Sequence, residues 1–173
     1  MLEKISIMLR LVAPKKGDSQ KDIDNYKKLS GEAGELITQG YLDLWKTKYF
    51  CIEQEYVIKP EWLNDGTRPD FIAFTSDPTE VILIDAKNHI PKDNKFFIGN
   101  KRLNEYQNLI SKLSTNGRKA YLLFIMPIGG NSINYFYCYT LQDFLSGQDS
   151  NDRSGKEVTL SDPINAYDMP NEE

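Results

Sequence analysis

The sequence predicts an α/β protein: a mixed central β-sheet flanked by helices. Three observations carry this. Apolar residues recur at helical spacing in two otherwise polar segments, residues 36–44 and 103–113. Around these lie five short runs rich in aromatic and β-branched residues, as strands are. Two of the runs, residues 71–74 and 81–84, are apolar at nearly every position, which suits central strands buried on both faces. The order is helix, three strands, helix, strand, strand, and such a chain packs helices over a sheet.

The elements follow in order. Ile5, Ile7, Leu9 and Leu11 alternate like a strand, although a short apolar helix fits equally, and residues 1–17 read as an N-terminal arm. Asp18 or Ser19 is placed to cap a long helix running to about Tyr49, with a break expected near Ser30-Gly31. Its apolar stripe is Leu36, Ile37, Gly40, Tyr41 and Leu44. Residues 50–58 form a first strand, and residues 59–68 a loop containing Trp62 and Asn64-Asp65-Gly66. The two apolar runs then flank Ser76-Asp77-Pro78, which is turn chemistry. Residues 88–100 read as a polar, partly basic loop. A second helix spans 101–113, with Leu103, Tyr106, Leu109, Ile110 and Leu113 on one face, and Asn116-Gly117 ends it. Strands are expected at 119–126 and 133–141. Residues 1–145 thus make a single domain. Residues 146–173 are an acidic tail expected to be loosely ordered, with 157–160 as a potential edge strand.

Composition bounds the function. A chain of 173 residues is sized for one domain with a real core. No run approaches the roughly 20 apolar residues of a membrane span. The apolar run at 5–12 carries Arg10 and leads into Pro14-Lys15-Lys16-Gly17, which argues against a signal peptide. Cys51 and Cys138 sit in apolar, aromatic surroundings and are expected to be buried reduced thiols in a cytoplasmic protein. With His89 the lone histidine, a structural zinc site has no ligand set. Net charge is −4, but from Asp143 onward eight acids meet only Arg153 and Lys156, so the rest of the chain is slightly basic.

The hairpin carries the chemistry. If its strands pair antiparallel about the turn, Phe74 faces Val81, Ile72 faces Leu83, and Asp70 faces Asp85. Facing residues have Cβ atoms about 4.5–5.5 Å apart, and like charges in that position repel. Lys87, two residues beyond Asp85, points to the same face. Two acids held together beside a lysine contribute little to stability. They suit a hard divalent cation, which takes oxygen ligands. Nearby, Lys92, Lys95, Lys101 and Arg102 form the densest basic patch, interleaved with Phe96 and Phe97. It reads either as a phosphate- and base-binding surface or as a solvated loop with two anchoring rings.

Pro69, Asp70, Asp85 and Lys87 in this setting resemble the PD-(D/E)xK nuclease superfamily, the restriction-endonuclease-like fold, with Asp in place of Glu in the second motif. The helix reads Gly31-x-x-x-Glu35-Leu36, which is similar to the family's helix, and the resemblance spans about residues 21–139. It implies an αβββαβ core and a nuclease using Mg2+, with Mn2+ as a substitute. It implies Asp70 as bridging ligand, Asp85 and the Ala86 backbone carbonyl beside it, and Glu35 as a third acid, preferred over Glu32. Lys87 would orient the attacking water, and Gln107 on the second helix would contact the site or the nucleic acid. His89 is not required. DNA is favoured over RNA, and so short a chain favours structure-selective or weakly specific cleavage, or specificity borrowed from a homodimer mate or protein partner. Two rivals stand: a toxin-type nuclease domain acting on tRNA or DNA, and a non-catalytic nucleic-acid-binding or assembly subunit that kept the fold.

Overall fold

A computed structural model describes residues 17–52, 67–88, 91–127 and 134–169. The arm at 1–16, most of the expected first strand and its following loop with Trp62, and His89 lie outside the described residues.

The first helix, α1 (Gln20–Leu44), starts where Ser19 and Asp22 form a reciprocal capping box. It runs unbroken through Ser30-Gly31, contrary to expectation. A mid-helix glycine costs only about 1 kcal/mol, and the packed C-terminal half offsets that. The buried face is Ala33, Gly34, Ile37, Thr38, Tyr41 and Leu42. The predicted stripe is therefore rotated: Ile37 and Tyr41 belong to it, whereas Leu36 and Leu44 are exposed. The helix stops at Trp45, whose indole N–H donates to the Ala166 carbonyl (2.8 Å). Lys46, at φ 56°, then turns the chain into the sheet.

The main sheet has six strands. In chain order they are β1 (Lys48–Cys51), β2 (Phe71–Phe74), β3 (Glu80–Ala86), then β5 (Lys119–Pro127), β6 (Tyr135–Thr140) and β9 (Ile164–Asn165), in spatial order β1-β2-β3-β5-β6-β9. The pairing β3–β5 is parallel and all others are antiparallel, so the sheet is mixed. The parallel pair is joined by a crossover through β4 (Lys95–Gly99) and α2 (Asn100–Leu113). Helix α1 covers one face through Ile37, Tyr41 and Leu42 against Phe71, Ile84, Ile125 and Phe136. Helix α2 covers the other through Leu103, Tyr106 and Leu109 against Leu83, Leu122, Phe124 and Met126. No described helix is long and apolar enough to cross a membrane.

The segment 88–100 is not all loop, because Lys95–Gly99 is a strand whose Phe96 and Ile98 are buried. The tail is not loose. After the short helix α3 (Leu141–Leu145), it forms β7 (Gln148–Asp149) and β8 (Gly155–Thr159), and these join β4 in a second sheet of order β4-β8-β7. Strand β8 pairs with β4 over its whole length. Its period-two signal is faint because Val158 is its one large apolar residue. Gly155 is required there: a Cβ would lie 2.4 Å from the Ile98 carbonyl oxygen and 2.5 Å from the Phe97 ring. Cys138 is half-buried, with its thiol pushed up to about 11 by burial, whereas Cys51 is exposed and not buried as expected.

Since β8 is the inner strand of this sheet and Val158 packs with Phe96, Phe144 and Tyr139, deleting residues 147–173 is expected to lower the thermal midpoint sharply or to abolish cooperative unfolding. Circular dichroism melting of the truncated chain checks this, and an unchanged melt would mean that the second sheet does not contribute to the fold.

Candidate functional site

The hairpin register is the one the turn arithmetic gives: Phe71 opposite Ile84, Ile72 opposite Leu83, Ala73 opposite Ile82 and Phe74 opposite Val81. Strand pairing ends at Phe71, and Asp70 lies one residue before it, beside the end of β3. The Asp70 N–H donates to the Ile84 carbonyl (2.9 Å), and the Asp70 carbonyl accepts from Ile52 N–H (2.8 Å), so the backbone is tied to both neighbours. The Asp70 carboxylate folds over the end of β3 and accepts from the Ala86 N–H (2.7 Å).

Asp85 is 2% exposed. A buried carboxylate needs partners on both oxygens. The Tyr106 hydroxyl of α2 donates to Oδ1, and the Lys87 ammonium ion-pairs with Oδ2. Tyr106 is itself fully buried, in edge-on contact with Phe124. Burial first, and the Asp85 charge second, hold its phenol well above the usual range, so it remains a neutral donor.

Glu35 arrives from the opposite face on α1. Two local features bring the helix in. Asn88, the residue after Lys87, donates its side-chain amide to the Ser30 carbonyl (2.9 Å) and Ser30 Oγ (3.2 Å). Gly34 lets the backbones close, since a Cβ there would lie 2.7 Å from Asn88 Cβ. The glycine that matters is thus Gly34; Gly31, in the family-like pattern, has open space around it. Glu35 is half-buried and Glu32 exposed, the latter ion-paired with Lys28 at 3.8 Å. Burial, then the charges of Glu32 and Asp85, raise the Glu35 carboxyl, with Lys87 opposing.

The three acids share one field. Asp70 is pushed up to about 7, by burial first and then by the Asp85 charge, against the pull of the Ala86 N–H and Lys87. The arrangement concentrates negative charge at one strand end with one lysine to balance it. Among the described residues no three Asp, Glu, His or Cys side chains are gathered closely enough to cage a metal ion by themselves.

The basic residues divide. Lys92 and Lys95 are paired with Asp152 (4.0 Å) and Glu157 (3.2 Å) of the tail, and the Arg153 guanidinium lies 3.8 Å over the Phe97 ring. Phe96 is core. That part of the predicted patch is folded into the second sheet. Lys101 is exposed on α2. Arg102 turns toward the site: it donates to the buried Thr67 hydroxyl, lies 6.0 Å from the Tyr106 ring centre, and reaches Glu105 at 3.6 Å. Gln107 points elsewhere, lining a cavity of about 490 Å3 with Ile110, Leu123 and Leu145. The α2 residue that touches the acids is Tyr106, and its signal was legible: a hydroxyl in a buried apolar stripe must find a partner.

Two outcomes follow. Tyr106→Phe strands a buried carboxylate oxygen, so urea unfolding should show a loss of about 1–3 kcal/mol. In EDTA, the raised Asp70 carboxyl means that the folded chain holds its proton more tightly than the unfolded one. Its contribution to stability is therefore complete below about pH 3.8 and is lost as pH rises toward 7. Between pH 4 and 7, Asp70→Asn should gain stability relative to the wild-type chain, and a constant difference between the two urea midpoints would contradict this. Compared with known proteins, the chain matches no family model and no curated sequence, so the reading of this site rests on its geometry.

Proposed function

We propose that this chain is a metal-dependent nuclease with a restriction-endonuclease-like core that hydrolyses phosphodiester bonds, foremost in DNA. The observation that carries the reading is the Asp70 carboxylate held on the Ala86 N–H at the end of β3, within the field of Asp85, whose own carboxylate meets Lys87. The order α1, β1, β2, β3, α2, β5 supports the fold assignment, with β4 as an addition before α2.

The residues fit a hard divalent cation in their donor chemistry. Magnesium keeps several waters and needs only one or two carboxylates besides substrate phosphate. Asp70 and Asp85 would hold it with the Ala86 carbonyl, and Glu35 would reach it directly or through water. When bound, such an ion polarises the phosphate and lowers the pKa of water. Burial first and the Asp85 charge second push Asp70 upward, and a bound cation would relieve the second.

The chain's own groups do the remainder. Tyr106 fixes the rotamer of Asp85 by occupying Oδ1. Lys87, about one-fifth exposed, is placed to orient an attacking water and to stabilise charge that builds on the phosphate. Glu35, with its raised carboxyl, is suited to hold or pass a proton from α1. Arg102, beside Tyr106 and Thr67, sits where a substrate phosphate next to the reacting one would be neutralised.

Purified protein is expected to cleave DNA with Mg2+ or Mn2+, and Asp70→Ala, Asp85→Ala and Lys87→Ala should each lower the rate by at least about a hundredfold. Glu35→Ala should be less severe. Metal should also raise the melting temperature of the wild-type chain. Wild-type rates in any two of the three severe variants would remove the assignment.

A further inference from the structure

The face of the sheet that bears the acids also bears two exposed aromatic rings. Side chains alternate along a strand, so Ile72 and Phe74 of β2 share a face, with Asp70 just before the strand. The register brings Phe50 opposite Ile72 and Lys48 opposite Phe74 onto that same face. Asp85 joins it through Ile72 opposite Leu83. Helix α2 covers this face over β3 and β5, where Leu83, Leu122 and Phe124 are buried. Ile72 of β2 still packs against that cluster, but the outer part of this face, toward β1, is open. Phe50 is 67% exposed and Phe74 43%, their rings edge to face at 5.5 Å.

Two neighbouring rings left in water cost free energy that a monomeric fold has no reason to accept. Their position gives one. Asp70 to Phe74 is four strand residues, roughly 13 Å at about 3.3 Å each, so the rings begin one or two nucleotides from a phosphate held at the acids. Lys48 is exposed beside them and, unlike Lys92 and Lys95, pairs with no described acid. Aromatic rings flanked by a lysine suit a strand with unpaired bases, since a ring stacks on any base and an ammonium neutralises its phosphate. A base-paired duplex offers no such base faces, and an acidic peptide would leave the rings uncovered.

Resting on the nuclease reading above, we propose that Phe50 and Phe74 with Lys48 form a stacking platform for an unpaired nucleic-acid strand leading into the site, which makes single-stranded or partly single-stranded nucleic acid the substrate class.

The test is fluorescence anisotropy of the full chain, with calcium replacing magnesium. The probes are a labelled 15-nucleotide dT strand, the matching rU strand and a blunt duplex of equal length. The wild-type chain should bind the single strands more tightly than the duplex. Phe50→Ala and Phe74→Ala should each weaken single-strand binding about tenfold and leave duplex binding unchanged. Phe50→Trp should restore binding, with its added fluorescence quenched by the dT strand. Unchanged single-strand affinity in both alanine variants, or a wild-type preference for duplex, overturns the platform. So does sedimentation showing a wild-type dimer that Phe50→Ala converts to monomer, because the rings would then cover a second copy. These failures are distinct from failure of the nuclease reading. Absence of metal-induced stabilisation and of cleavage in the wild-type chain would remove that reading, whereas metal-dependent cleavage with unaltered variant binding removes the platform alone.

Discussion

Like charge forced together at one end of a hairpin is the constraint around which this molecule is arranged. The hairpin cannot relieve it by slipping. A shift of one residue would turn the apolar strand positions to the wrong faces, and β2 and β3 are packed on both. Asp70 and Asp85 therefore stay at the same strand end, and the surrounding structure supplies the compensation. The Ala86 N–H takes Asp70, while Tyr106 and Lys87 take the two oxygens of Asp85. Asp70 and Glu35 are nonetheless displaced upward, by burial first and then by neighbouring carboxylates.

Each helix brings groups to that strand end, and not all of them compensate, since Glu35 adds a further carboxylate. From one face, α1 delivers Glu35, and it comes close because Gly34 lacks a side chain and Asn88 binds Ser30. From the other, α2 delivers Tyr106 and Arg102. The start of α2 is in turn tied to the tail, with Asn100 N–H on the Ser154 carbonyl at 3.1 Å and the Asn100 amide on Ser154 Oγ at 3.3 Å. The second sheet thus anchors the helix that holds Asp85, so the C-terminal segment belongs to the site's support.

How much of this was legible follows from the range of each interaction. The hairpin was fully legible, because turn chemistry and apolar runs fix a register within sixteen residues. The pairing of Glu35 with the acids was legible only through the family-like pattern, and the pattern pointed at Gly31 where the close approach is at Gly34. That approach depends on Asn88, more than fifty residues away, and nothing local marks it. Strand β4 hid inside a segment whose lysines and asparagines look like loop, and β8 showed only as a potential edge strand at 157–160, whereas it is the inner strand of its sheet, because a strand with one buried valine carries almost no alternation. Each gains its identity only from the other. The same pairing explains the basic patch. Lys92 and Lys95 looked available because the acids that meet them, Asp152 and Glu157, lie some sixty residues downstream.

On the nuclease reading, those pairings bear on how an acidic chain would meet a polyanion. Part of the tail's negative charge is met locally. Asp149 meets Lys156 at 2.9 Å, Asp152 meets Lys92 and Arg153, and Glu157 meets Lys95 and Arg153. At these short distances each acid largely cancels within its own neighbourhood, and exposed charges separated by more than about 10 Å are screened at ordinary salt. Net charge then says little about the surface near the acids of the hairpin, where described cations not paired with the tail include Lys87, Arg102, Lys101 and Lys48. On the nuclease reading, electrostatic attraction of a nucleic-acid strand is set by such nearby cations and by the metal ion more than by the overall balance of −4.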